Sequence, residues 1–278
     1  MFAYLRRGPG FYRRVAALAA PMILQNLITS TLAMADTFMV GMLGEAPMAG
    51  VTLANIPIFV VQLFFFGVQS GSTVLISQYW GKGDREAINR VIGVALWAVN
   101  LVSVAFALVL LLFPVPFLGL FGNEPEVVAL AAEYGRLIGL SYVFNGMTLV
   151  YLAAWRSMER PRLGMYILAA SMGINTFLNW VLIFGKLGAP ALGVTGVALA
   201  TLIARLAEFS IGISGTASIL IGREIGAGRS HQVYEVGLAL NTLAALAGGG
   251  LGALLLLFTH LAAPVWFFPL FHLSPRAC

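Results

Sequence analysis

Charge is what this chain has least of. Only 10% of its 278 residues are Asp, Glu, Lys or Arg, against about 25% in an ordinary globular protein. So few charges cannot cover a water-facing surface. Hydrophobic residues make up 60% and the mean hydropathy is +0.92. A soluble globular enzyme and a disordered chain are both excluded. Cysteine is nearly absent as well: Cys278, the last residue, is the only one, which excludes an internal disulfide framework. What remains is an all-α, polytopic membrane helix bundle.

The charges divide the sequence into uncharged runs at 15–35, 46–81, 91–123, 137–155, 163–185, 187–204, 209–222 and 236–275. A spanning helix needs roughly 20 apolar residues. The first six runs reach or approach that length. Residues 209–222 are too short to cross unaided, and 236–275 hold one more span before Pro264, Pro269 and Pro275 break the pattern. Seven spans and one partial one are expected. Arg6, Arg7, Arg13 and Arg14 precede the first run, Lys82, Arg85 and Arg90 follow the second, and Arg156, Arg160 and Arg162 follow the fourth. Arg205 closes the sixth. Basic residues on alternate loops put the N-terminus in the cytoplasm. They also account for the net charge of +5 without nucleic acid as a partner. Residues 33–35 mimic a signal-peptide cleavage site, but the run is long for such a segment and further spans follow it.

An internal repeat is present. Residues 70–83, SGSTVLISQYWGKG, return at 215–228 as GTASILIGREIGAG. Each copy precedes a long apolar stretch that ends on a Leu-Phe…Pro motif, at Leu120-Phe121 and Pro125 and again at Leu270-Phe271 and Pro275. Duplicated halves are a common transporter architecture, with the substrate site between them. The second copy lacks counterparts of much of the first, so an internal join near residues 205–213 is expected.

Several stretches carry a family resemblance: Pro21-Met22-Ile23-Leu24-Gln25-Asn26, residues 35–41 (ADTFMVG), 78–84 (QYWGKGD), 156–161 (RSMERP), Gly173-Ile174-Asn175 and 196–201 (GVALAT). In this order and spacing the chain resembles the multidrug and toxic compound extrusion (MATE) family of cation-coupled efflux transporters. The resemblance implies twelve helices in two lobes for a whole member. It makes residues 1–208 a six-helix N-terminal lobe and 209–278 a partial second lobe from the eighth-to-ninth helix region. The implied function is multidrug antiport driven by H⁺ or Na⁺, in the cell inner membrane, with small cationic or amphipathic drugs and the lipid bilayer as partners. A missing half of the second lobe would leave the chain incomplete and inactive alone. The alternatives are a flippase for lipid-linked saccharides, with Arg136 as the one basic residue available to its cavity, and a non-transporting membrane remnant.

An ionisable residue inside a span is a functional signal. Asp36 is the main one; it lies either in the outer headgroup region or within a helix that continues through residues 37–43. Asn175 and Asn179, four apart, share a helix face and serve as polar packing or as ligands. Thr201 lies within the sixth run, where its hydroxyl either bonds its own backbone or joins a site. Tyr134 begins the fourth helix, as an interface tyrosine or a site residue. At 1.5 Å per residue, Asn175 and Asn179 lie about 18 and 24 Å along the fifth helix, a depth that matches Asp36 and Tyr134. The resemblance puts all five in one cation-coupling cluster. Pro21 is able to bend the first helix. Glu133 and Arg136 are expected to pair. His231, His260 and His272 have no metal-ligand spacing, no P-loop or nucleophile–base motif is present, and neither a cofactor nor enzyme chemistry is expected.

Overall fold

A computed structural model describes residues 9–226, with side chains within 10–212. The elements are α1 (Pro9–Gly41), α2 (Glu45–Lys82), α3 (Arg85–Leu112), α4 (Pro114–Leu118), α5 (Pro125–Ser157), α6 (Pro161–Phe184) and α7 (Gly193–Gly226). Among the described residues, six helices are long and apolar enough to cross a membrane: all but the five-residue α4, with the span of α7 being Gly193–Gly212. The expected seventh span, the three histidines, Cys278 and the end of the second repeat copy lie outside the described residues. The first compact unit of the chain is Met1–Gly212, and the site lies wholly within it.

Local chemistry sets the helix ends. The Gly-x-Gly turn of the first repeat copy closes α2. Gly83 adopts a left-handed φ of 72°, and its N–H reaches back to the Trp80 carbonyl. Asp84 follows as the N-cap of α3, its carboxylate accepting from Ala87 N at 3.0 Å. α5 and α6 each open on a proline at the first turn, where a missing N–H costs nothing. Gly185, at φ 65°, ends α6.

Four boundaries differ from the charge-based expectation. The run at 91–123 is two elements, because the Pro114 ring cannot continue α3. The sixth span starts at Gly193, not at residue 187, since residues 186–192 form the turn that contains Pro190. α5 starts at Pro125, so Tyr134 sits well inside a helix instead of at its start; Glu126, Glu133 and Arg136 occupy its exposed face while the apolar pattern continues beneath them. Arg205 does not end the sixth helix, which runs on to Gly226. Glu133 accepts from the Thr195 hydroxyl instead of pairing with Arg136.

α5 is the central helix, packed along α2 and α3, while α1 packs chiefly on α6. Small residues let these backbones meet. A Cβ on Gly50 of α2 would lie 2.8 Å from the Leu130 Cβ of α5. The outward faces remain apolar: Trp97, Leu101 and Phe66 are 79%, 72% and 68% exposed, as suits helices facing lipid. α6 and α7 meet backbone to backbone. A Cβ on Gly196 would stand 2.7 Å from the carbonyl oxygen of Leu182 and 2.9 Å from its carbon. Backbone cannot yield as a side chain can. Gly196→Ala is therefore expected to cost about 1–3 kcal/mol, read as a fall of several degrees in the unfolding midpoint of the detergent-purified protein. An unchanged midpoint would show that the two helices have room to separate.

Candidate functional site

α1 carries Asp36 five residues before its end, inside the helix, because the apolar pattern of residues 37–41 continues beyond it. Asn179 on α6 donates from Nδ2 to Asp36 Oδ1 at 2.6 Å. The same nitrogen donates to Asn175 Oδ1 at 3.1 Å, one turn away. Asn175 in turn donates from Nδ2 to Thr201 Oγ1 on α7 at 3.3 Å, and the Thr201 hydroxyl donates to the Val197 carbonyl at 2.9 Å. A continuous hydrogen-bonded line thus joins α1, α6 and α7. Both asparagines are buried, and Asn179 Oδ1 has no hydrogen-bond partner among the described residues. A buried polar atom without a partner is costly and uncommon.

Asp36 and Thr201 face a cavity of about 280 Å³, into whose wall Tyr134 also enters from α5. Four of the five expected residues are linked by hydrogen bonds, and Tyr134 joins them as a lining residue of the same cavity. Pro21 lies elsewhere, buried in α1, where its lack of an N–H removes one helical hydrogen bond. One turn later Gln25 Nε2 donates to the Pro161 carbonyl at 2.6 Å, tying α1 to the start of α6 just beyond the proline.

Charge-based reading of the sequence missed the other half of the site. Arg205 lines the Asp36 cavity and also a second one of about 450 Å³, which Glu208, Arg156 and Gln25 line as well. Glu208 is 1% exposed. Its Oε2 accepts from Arg205 Nη1 at 2.8 Å and from the Ser171 hydroxyl at 2.9 Å. Gln62 and Asn145 also line both cavities, and Gln62 donates to the Tyr142 hydroxyl at 2.8 Å. The signal was present: Leu202, Leu206 and Phe209 carry the apolar pattern of the sixth helix past Arg205, so a span does not end at its first charge. Arg136 is exposed and lines neither cavity; Arg156 and Arg205 do. Among the described residues, no three His, Cys, Asp or Glu side chains form a metal-ligand group.

Comparison with known proteins agrees with this architecture. The MatE family model matches residues 21–181. A protein named probable multidrug resistance protein NorM, from Rhizobium meliloti (strain 1021), is 32% identical over 195 residues, covering 70% of this chain and 41% of its own. A solved outward-facing multidrug resistance MATE family transporter of the MOP superfamily superposes with a TM-score of 0.64 at 20% identity, over 84% of this chain and 52% of that one. A MATE structure in the bent conformation superposes with a TM-score of 0.62 at 23% identity, over 72% and 44%. The chain spans about two fifths of the length of the curated relatives it matches.

Proposed function

The chain belongs to the MatE family, and from that premise we propose that it is the cation-coupling lobe of a multidrug antiporter. The observation that carries this reading is the hydrogen-bonded line from Asp36 through Asn179 and Asn175 to Thr201. A carboxylate placed inside a spanning helix is expensive unless it has work to do. Here it faces a cavity and is held by an amide donor. A proton or Na⁺ arriving at Asp36 cancels the charge to which Asn179 donates. The amide is then released to serve Asn175 and Thr201 differently, and α1 is loosened from α6 and α7. Tyr134 and the asparagine and threonine oxygens supply the kind of neutral oxygen surroundings that suit H⁺ or a hard cation. Pro21 is the hinge of this motion, and the Gln25–Pro161 bond fixes its pivot. The substrates are small cationic or amphipathic drugs, for which polar cavities bounded by phenylalanine and methionine are suited. The setting is the cell inner membrane with the N-terminus in the cytoplasm, as the arginine pattern favours. Alternating access needs a second lobe to rock against this one.

The test is carbodiimide modification, which consumes carboxyl groups in apolar surroundings, followed by mass spectrometry to locate the adduct. The adduct is expected on Asp36, and its formation is expected to slow in millimolar Na⁺ if Na⁺ is the coupling ion, or only at raised pH if H⁺ is. An adduct formed elsewhere, with Asp36 untouched under all conditions, would overturn the reading.

A further inference from the structure

One ion pair has no part in this mechanism: a buried Glu208 with a partly buried Arg205. Arg205 and Glu208 lie on α7 inside the span Gly193–Gly212, one turn below Thr201. Glu208 is sealed from solvent and satisfied by Arg205 and Ser171. Arg205 is different. Its guanidinium has five N–H donors and cannot deprotonate, yet among the described residues it makes one hydrogen bond, from Nη1 to Glu208. It borders both cavities, whereas of the two carboxylates Asp36 borders only the first and Glu208 only the second. Of the charged side chains facing these cavities, Asp36 comes from α1, Arg156 from α5, and Arg205 and Glu208 from α7. Arg205 is therefore the one charged side chain among the described residues that borders both cavities, with Asp36 on one side and Glu208 on the other, and Arg156 is a further cation of the second.

We propose that Arg205 is a tethered cation that changes partner with the occupancy of Asp36, and so sets the charge of the second cavity. The proposal rests on Asp36 being the cation site. With Asp36 ionised and empty, the arginine leans into the first cavity, and Glu208 is left to attract a positive drug into the second. Once Asp36 holds its own cation, the guanidinium has no anion on that side and returns wholly to Glu208 and Ser171. The Glu208 charge is then neutralised, the second cavity becomes more positive with Arg156 also in its wall, and the drug is released. The direction is that of antiport: cation in, cationic drug out. Arg205 acts here as a positioning residue; its reach along a flexible stem and its permanent charge suit it to the role.

The experiment reads the charge of the second cavity with the full chain in detergent. In a Cys278→Ser background, Leu32→Cys places one thiol in the wall of the second cavity. Its labelling rates with a trimethylammonium methanethiosulfonate and with a neutral one of similar size are compared, and their ratio reports the local potential. Asp36→Asn stands in for the occupied site. It is expected to lower the cationic-to-neutral ratio about three- to tenfold. In the Arg205→Met/Glu208→Gln background the same substitution is expected to change it less than twofold. Removing both members of a buried pair together is tolerated far better than removing one. Equal effects of Asp36→Asn in the two backgrounds would make the pair a purely structural one and overturn the proposal. Arg205→Lys supplies a second check that keeps the charge: the response to Asp36→Asn is expected to persist there, and its loss would also count against a tethered cation. Because asparagine mimics the neutralised carboxylate, transmission is read even if nothing binds at Asp36. Failure of the cation-site reading shows separately, in the carbodiimide assay.

Discussion

In a form that carries both lobes, Asp36→Asn is expected to abolish cation-driven ethidium efflux in everted vesicles while leaving the amount of inserted protein unchanged. Asparagine keeps the size and one acceptor oxygen of the carboxylate, so packing is preserved while the 2.6 Å contact to Asn179 is weakened permanently, as it is when the carboxylate is neutralised. What disappears is the charge that a proton or Na⁺ would neutralise, and with it any difference between the occupied and empty states. A ligand with nothing to distinguish two states cannot shift them. The loss in coupled flux should be complete, not graded. Efflux at the wild-type rate by the asparagine variant would sink the assignment of Asp36 as the coupling residue.

Glu208→Ala carries the second large effect, this time on folding. The substitution takes from Arg205 its one hydrogen-bond partner among the described residues and leaves the Ser171 hydroxyl only the Ala204 carbonyl. Removing one partner of a fully buried pair costs about 3–5 kcal/mol; with Arg205 25% exposed the expected cost lies at or below the lower end of that range, still a large part of the stability of a typical domain. The expected result is a severe drop in folded protein recovered from membranes, seen by size-exclusion chromatography. Recovery should return when Arg205→Met accompanies Glu208→Gln, because neither charge is then left alone. If Glu208→Ala is recovered as well as wild type, the carboxylate is not sealed as described, and the ion pair has no structural weight.

The contrast between these residues explains what could be read from the sequence. Asp36 stood out because a carboxylate interrupts an apolar pattern that resumes after it. Asn175 and Asn179 stood out because their spacing places them on one helix face, and the bond between them follows from that spacing. Thr201 was legible only by its place within the sixth run and by resemblance. Arg205 and Glu208 were hidden by the same rule that found the spans. A charge ordinarily marks the end of a membrane segment, yet two opposite charges three residues apart can neutralise each other within one. Nor could any pattern show that Ser171, 37 positions away from Glu208, completes the pair. Tyr134 was misplaced for a related reason: the exposed charges of α5 hid two buried turns beneath them.

α2 raises a matter of scale. It has 38 residues without a break, which at 1.5 Å each gives about 57 Å, nearly twice the roughly 30 Å hydrocarbon thickness of a bilayer. α6, with 24 residues, is about 36 Å long by the same measure. Helices so unequal cannot all stand upright in one slab of oil. α2 must lie oblique or project into the headgroups, and either choice ties its slope to the thickness of the surrounding lipid. Because α2 contributes Gln62 to both cavities, the membrane itself has a mechanical grip on the wall between them.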